Sequence, residues 1–380
     1  MIKVNFISKS LVYSIASSLV LLVSAQAAII QNFNANNYFN PAELQRINIA
    51  EILAGAFINN PQVSFSGTST GGSGEANSNE TDVLPFYRGA YRLNDRFVIG
   101  LNVSIPYYAH IEFPQSSVVA ADATRTLVKD TDFAFQGSAK ITDKLSLGAG
   151  FNVNNMHDFQ VNFVGPGGVN IVNKAKALSY GWDIGVTYDI NQFNLIGLAY
   201  YSRLTPTFKG YSSGLGYFGN LTISGMNLPD TYKATYTHIL SQNWLFALGA
   251  SYSRWQSAKT VVFNNVATIG QIRLPVNYYS TWSFDAMGRY QFDPKWAALA
   301  VAVYDQGGAH QYARTVSFPS APAWLLKAGV SCQITKEAAL QAIPGIVYSN
   351  ANIDKPFTSR AVGKMRIRVY SLDLRFVYKL

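Results

Sequence analysis

The 380-residue chain has a single cysteine, Cys332, four histidines, and only 13% charged residues. One thiol excludes an intrachain disulfide and any cysteine-based metal cluster. The charged fraction is well below the roughly 25% usual for a soluble domain, so an ordinary hydrated surface is hard to assemble. Long apolar runs are also missing. Beyond residue 27 no stretch of about eighteen apolar residues occurs, which argues against transmembrane helices after that point. The histidines, His110, His157, His238 and His310, are scattered over predicted loops and strand ends without ligand spacing. No metal site and no cofactor are therefore expected.

What the chain has instead is aromatics, at 14%, among many Gly, Ser and Asn residues, with a mean hydropathy of only +0.06. Its first residues address a compartment. Lys3 and Lys9 precede an apolar run from Leu11 to Val23, too short to span a bilayer as a helix, and Ala25-Gln26-Ala27 supplies small residues at a cleavage position. Residues 1–27 read as a signal peptide, with the mature chain starting at Ala28. Losing both lysines lowers the formal charge from +9 to +7. A basic balance can mark nucleic-acid binding, but export makes acidic lipid headgroups or anionic solutes the better reading, and no nucleic-acid partner is expected.

The dominant pattern has a period of two. Tyr370, Leu372, Leu374, Phe376, Tyr378 and Leu380 share one face of the last segment, opposite Val369, Ser371, Asp373, Arg375, Val377 and Lys379. Successive strand side chains point to opposite faces, so one face is greasy and the other mostly polar. The same alternation runs from Phe97 to Tyr107 and from Trp244 to Tyr252, with aromatics near the ends where interfacial girdles belong.

Connection lengths separate a membrane barrel from a soluble sandwich. About fourteen candidate strands can be traced, among them 52–66, 82–92, 96–109, 194–209 and 243–256. Short turns such as Thr142-Asp143, Ser241-Gln242 and Thr335-Lys336 alternate with loops of roughly fifteen to twenty residues, the asymmetry of tight periplasmic turns and long outer loops. The fold class expected is all-β, a transmembrane antiparallel barrel of about fourteen strands spanning 52–380 in the outer membrane of a Gram-negative bacterium. An even strand count puts both barrel ends on the periplasmic side. Residues 28–51 precede the first strand, with a helix-like start at Asn40-Pro41, and are expected to form a short hatch inside the barrel.

Three places resemble the FadL/TodX family of outer-membrane transporters for long-chain fatty acids and aromatic hydrocarbons. Asn40-Pro41-Ala42 matches the family's hatch motif. Leu228-Pro229-Asp230, with the hairpin through Trp244 to Tyr252-Ser253-Arg254-Trp255, is similar to its Leu-Pro-Asp/Glu segment. Ala323-Trp324-Leu325 through Ala328-Gly329 has the family's closing spacing. The resemblance covers most of residues 38–380 and implies a monomeric, hatch-closed barrel with an apolar pocket among the outer loops. It also implies a kinked third strand through which ligand leaves sideways into the membrane, with gating by Asn40, Pro41, Ala42 and Pro106. Pro106 lies in the third strand, where it removes a ladder hydrogen bond. Two departures stand out: little chain precedes Asn40-Pro41-Ala42, and the last residue is Leu380 where an aromatic is common.

A fatty acid contributes about 0.8 kcal/mol per buried CH2, against about 1.5–3 kcal/mol for one charge-assisted hydrogen bond to its carboxylate. The tail thus dominates affinity. Phe163, Phe218, Leu221 and Met226, from loops more apolar than a porin mouth needs, are the candidate tail contacts; Arg203 and Lys327 are the candidate lumen cations, with Arg289 and Arg375 on the same parity. Gly210-Tyr211-Ser212-Ser213-Gly214 and Gly214-Leu215-Gly216-Tyr217-Phe218-Gly219 match hydrolase and dinucleotide signatures, but neither sits in the required strand–turn–helix context. No enzymatic cluster can be assembled. The function expected is passive transport of hydrophobic small molecules, foremost long-chain fatty acids, the alternatives being aromatic hydrocarbon uptake or a weakly selective porin-like channel. The partners expected are a hydrophobic ligand, outer-membrane lipid and lipopolysaccharide, and the barrel-assembly machinery during insertion.

Overall fold

The computed structural model describes residues 39–354 and 360–380. The expected signal peptide and residues 28–38 of the expected hatch lie outside the described residues. Among the described residues, fourteen antiparallel strands form the wall: β1 Ala50–Ser69, β2 Asp82–Arg92, β3 Phe97–Ser104 resuming after a break as Tyr108–Glu112, β4 Arg125–Lys140, β5 Leu145–Val164, β6 Asn170–Asn191, β7 Asn194–Tyr201, β8 Thr231–Ile239, β9 Trp244–Ser253, β10 Thr281–Gln291, β11 Trp296–Asp305, β12 Ala323–Gln333, β13 Ala338–Ile353 and β14 Val362–Lys379. Each pairs with its sequence neighbours, and β1 pairs with β14 from Glu51↔Lys379 to Thr68↔Val362, which closes the barrel. Closure leaves no strand edge to satisfy in lipid at the join of β1 and β14.

The wall is built inside out relative to a soluble protein. Along β6, Ala177, Ser179, Gly181 and Asp183 are buried while Leu178, Tyr180, Trp182 and Ile184 are 53%, 60%, 48% and 49% exposed. A stripe of this kind is stable only against hydrocarbon. Cross-strand aromatics form a girdle: Tyr200 and Tyr232 rings lie 4.9 Å apart, Tyr252 and Trp282 5.0 Å, and Tyr304 and Trp324 4.9 Å. Cys332 takes the lipid-facing parity of β12, half-buried between its neighbours.

Several strands outrun the bilayer. β1 has 20 residues and β6 has 22, against about 9–11 for a spanning strand. The surplus stands on the loop side, where two long connections fold into hairpins, Phe208–Gly214 with Tyr217–Ser224 and Thr260–Val266 with Gly270–Pro275. The first hairpin adds to β6 through Lys209↔Lys176, and the two pair through Thr222↔Asn264. The apparent dinucleotide signature is the turn of the first hairpin, where Leu215 and Gly216 both have positive φ, 49° and 75°, the two-residue turn that matches strand twist. Ser212 of the apparent hydrolase signature is buried, donating to Asn173 Oδ1 at 2.8 Å and accepting from the Ala267 N–H at 2.7 Å.

β3 does not run through. Its ladder with β2 ends at Tyr87↔Val103, so Asp82–Phe86 make no ladder with β3. Beyond Pro106, β3 pairs with β4 alone, from Tyr108↔Lys129 to Glu112↔Arg125. The break frees the Tyr107 N–H, which donates to Asp130 Oδ1 at 3.0 Å; Asn154 Nδ2 donates to the other carboxylate oxygen at 2.7 Å. Asp130 is fully buried and sits at a bulge in the β4–β5 register. Asp130→Ala leaves these two buried donors without their acceptor, at about 1–3 kcal/mol each. Urea titration of the folded barrel should show a clearly lower midpoint for this variant and a smaller drop for Asp130→Asn, which keeps an acceptor oxygen. An unchanged midpoint for Asp130→Ala would show that the break does not depend on this carboxylate.

Candidate functional site

Among the described residues, one short helical segment lies inside the barrel, against β4, β5 and β6. Asn40 caps the 3-10 helix Pro41–Arg46, its Oδ1 accepting from the Ala42 N–H at 3.0 Å, with Pro41 at the helix start. The same side chain reaches the wall, donating through Nδ2 to the carbonyls of Val186 and Leu198 at 3.2 Å each. Gln45 donates to the Ser138 carbonyl at 2.9 Å, Arg46 pairs with Asp189 at 2.6 Å, and Arg92 clasps the carbonyls of Gln45 and Ile47 at 2.7 and 2.6 Å. Phe39, Leu44 and Ile47 pack on Ala90 and Val98, and the Arg88 guanidinium lies 4.1 Å from the Phe39 ring centre. The wall is hollowed to receive the segment. A Cβ at Gly148 would strike the backbone of Pro41 and Ala42, and one at Gly185 would strike Asn40.

Glu43 is buried in this segment. Burial raises its pKa to about 7, against the attraction of Lys233, Arg46 and Arg88. Phe39 borders two small cavities, about 20 Å³ beside Glu43 and Lys233 and about 30 Å³ beside Pro106 and Tyr107. Each has room for about one water.

Above the break lies the largest apolar cluster. Tyr107, Met156, Phe159, Phe208, Leu221, Ile223, Met226, Trp255 and Phe263 are buried together between the β3–β6 wall and the two outer hairpins. Phe159 and Phe208 rings lie 4.7 Å apart. Beside it runs the seam left by the broken ladder. There the bent-in half of β3 lies against the inward face of β2. Ile105 and Tyr108 pack with Leu84 and Phe86, and the Tyr108 hydroxyl donates to Asp82 Oδ2 at 2.7 Å. His110 Nδ1 lies 2.6 Å from the same oxygen, and Lys129 pairs with the other. The seam is thus shut by side chains rather than by backbone.

Of the sequence-selected residues, Leu221 and Met226 belong to this cluster and Phe163 packs against it. Phe218 stands at the hairpin tip, 72% exposed and stacked on Tyr211. Arg203 pairs with Asp230 at 3.0 Å, an acid shared with Arg254 at 3.3 Å. Lys327 lies on β12 at 3.7 Å from Asp373, which also binds Arg375. Arg289 donates to Gln291, while Asp285 has Lys233 as its charged neighbour. Asn40, Pro41 and Ala42 lie against the inward face of the wall, beside Gly148 and Gly185, and Pro106 sits at the break. Sequence reasoning missed Tyr107, Phe208, Trp255 and Phe263. Their signal was aromatics inside segments read as loop or as strand end, which only the added hairpins bring over the lumen.

The family model described as outer membrane protein transport protein (OMPP1/FadL/TodX) matches residues 21–356. The long-chain fatty acid transport protein of Escherichia coli K12 is 21% identical over 379 residues, covering 86% of this chain and 84% of that protein. The Salmonella typhi protein of the same name is 21% identical over 368 residues, with the same coverage of each. Among solved structures, a Pseudomonas aeruginosa FadL homologue superposes with a TM-score of 0.81 at 16% identity, covering 95% of this chain and 99% of the other. The Ralstonia pickettii toluene transporter TbuX gives 0.72 at 16% identity, covering 95% and 96%.

Two outcomes follow for the lumen segment. Gly148→Val should displace it and raise single-channel conductance in planar bilayers, whereas Gly137→Val, on the lipid-facing side, should not. The protonated Glu43 stabilises the docked segment, a contribution complete below ordinary carboxylate pKa values and lost as pH rises through about 7. Conductance of the wild type should therefore rise between about pH 4.5 and about pH 7 and level off above, and Glu43→Gln should flatten that rise. A rise that persists in Glu43→Gln would assign it to another group.

Proposed function

The chain belongs to the OMPP1/FadL/TodX family of outer membrane transport proteins, and from that membership we propose that it takes up long-chain fatty acids by passive diffusion and releases them sideways through the β2–β3 seam. The family consists of outer-membrane channels for hydrophobic compounds, not enzymes, and the chain is an outer-membrane protein of the Gram-negative type. The observation that carries the finer reading is the position of the apolar cluster. It lies between the outer hairpins and the seam, and Tyr107 belongs to the cluster while its neighbours Ile105 and Tyr108 belong to the seam. A ligand captured from outside would meet this cluster first. Below it Phe39 borders cavities of only about 20 and about 30 Å³ beside Asn40, Glu43 and Pro106, which supports a route through the seam over one straight to the periplasm.

Chain length sets the ligand. The relatives named for fatty acids and the structures named for toluene share this fold. A cluster of this extent suits a tail of many CH2 groups, each contributing about 0.8 kcal/mol when buried. A cation would orient the carboxylate without setting the affinity. Asn40, Pro41 and Ala42 act as the hatch by plugging the lumen, and Pro106 acts as the hinge of the seam. Phe163, Leu221 and Met226 contact the tail, with Phe218 at the entrance. Arg203 and Lys327, each already held by an acid, serve the wall rather than the ligand.

Tryptophan-fluorescence titration of the detergent-purified barrel with oleate tests the reading, since Trp255 borders the cluster. Saturable binding is expected, weakened at least tenfold by Leu221→Asn and hardly at all by Lys327→Met. Saturable binding of toluene with none of oleate would move the ligand to the hydrocarbon class. Oleate binding insensitive to Leu221→Asn would remove the cluster as its site.

A further inference from the structure

We propose that Glu80, His110 and Glu112 form a divalent-cation site, of the class that takes zinc(II), which ties the connection from β1 to β2 to the displaced half of β3. Their ligand atoms all lie within 4.8 Å of one another. A histidine with two carboxylates supplies three protein ligands of the types zinc takes, leaving a fourth position for water. Bond lengths of about 2.0–2.2 Å require the ligand atoms to approach to roughly 3.3–3.6 Å. Glu80 is half-buried and Glu112 exposed, so both are free to close that difference.

The histidine gives the observation that a mere group of acids would lack. Its side chain is 8% exposed, and Nε2 has no hydrogen-bond partner, Glu112 Oε2 standing 3.7 Å away. Nδ1 lies 2.6 Å from Asp82 Oδ2, a carboxylate that can only accept, so in the neutral ring Nδ1 carries the proton and Nε2 is the lone-pair nitrogen, on the side of Glu112. A carboxylate behind a ligating imidazole fixes its tautomer and raises its basicity. Asp82 is itself held by Tyr108 and Lys129, so this support is rigid.

The backbone already places the donors on opposite sides of the seam. The Glu80 N–H donates to the Pro61 carbonyl of β1 at 3.2 Å, and its own carbonyl accepts from Asn60 at 2.7 Å. Glu112 is carried by β3, its N–H donating to Ser78 Oγ at 2.8 Å. The local charges are Glu80, Asp82 and Glu112 against Lys129 and Arg125, the latter 3.6 Å from Glu112. With His110 neutral the acids are in excess, and an arriving cation competes with Arg125 for Glu112. The spacing gave no hint of this site, because Glu80 is thirty residues from His110 and the break in β3 alone brings them together.

Isothermal titration of the tag-free, metal-stripped barrel with zinc chloride tests it. One zinc per chain should bind with micromolar affinity. His110→Ala and Glu112→Gln should each weaken binding at least tenfold, and His238→Ala should leave it unchanged. Should His110→Ala fail to fold, Glu80→Gln and Glu112→Gln serve, since neither side chain is buried. Cobalt(II) should give visible d–d absorption bands that zinc displaces. No saturable binding by the wild type, or binding equal in the glutamate variants, would overturn the site.

Discussion

In a sheet surrounded by lipid, every backbone N–H must find its acceptor within the protein. The break at Ile105–Tyr107 is where that demand shapes this molecule. Pro106 has no N–H to satisfy, and the N–H freed at Tyr107 is taken by the buried carboxylate of Asp130. The remaining half of β3 then leans inward and lies against β2 instead of pairing with it. Tyr107 and Ala109 consequently turn toward the apolar cluster, while Tyr108 and His110 turn toward Asp82. One interrupted ladder thus creates a wall held shut by side chains, where the rest of the barrel is held shut by backbone.

The lumen segment answers a second demand. A fourteen-stranded barrel is too wide for its own side chains to fill, and here the 3-10 turn Pro41–Arg46 lies inside it against β4, β5 and β6. It is fixed by polar contacts spread over several strands: Asn40 to β6 and β7, Gln45 to β4, Arg92 of β2 to its carbonyls. Gly148 and Gly185 accept its close approach. Apolar packing of Phe39, Leu44 and Ile47 also holds the turn, and the buried Glu43 makes its docking open to titration. The seam combines an apolar cluster with a shared carboxylate.

Much of this architecture is legible in the sequence because a membrane barrel repeats one simple instruction. The alternation from Tyr370 to Leu380, and the turns at Thr142-Asp143 and Ser241-Gln242, give the faces and the connections directly. Asn40-Pro41 stands out as a helix start, and Pro106 as a place where one ladder hydrogen bond is given up. The upper part was less legible. The segment 194–209 reads as one strand but ends at Tyr201, and 96–109 reads as continuous across the break. Strands that continue beyond the bilayer lose the lipid that enforces their period. The hairpins at Phe208–Ser224 and Thr260–Pro275 face a protein cluster on one side and water on the other, so their patterning is weak. Phe218 and Leu221 look alike in sequence, yet one caps a turn in solvent and the other is buried; strand register alone separates them.

The most direct test of the central claim, that the seam is the exit, is photo-affinity mapping. A long-chain fatty acid with a diazirine at its methyl end would be supplied to intact cells, irradiated during uptake, and its adducts located by peptide mass spectrometry. The account predicts adducts on Leu84, Phe86, Ile105 and Tyr108 after those on the outer cluster, with none at Ile47 or Leu245 on the periplasmic side of the lumen. Adducts along Ile47 and Leu245 with none at the seam would contradict it, and would show that ligand passes straight through beside the Asn40 turn.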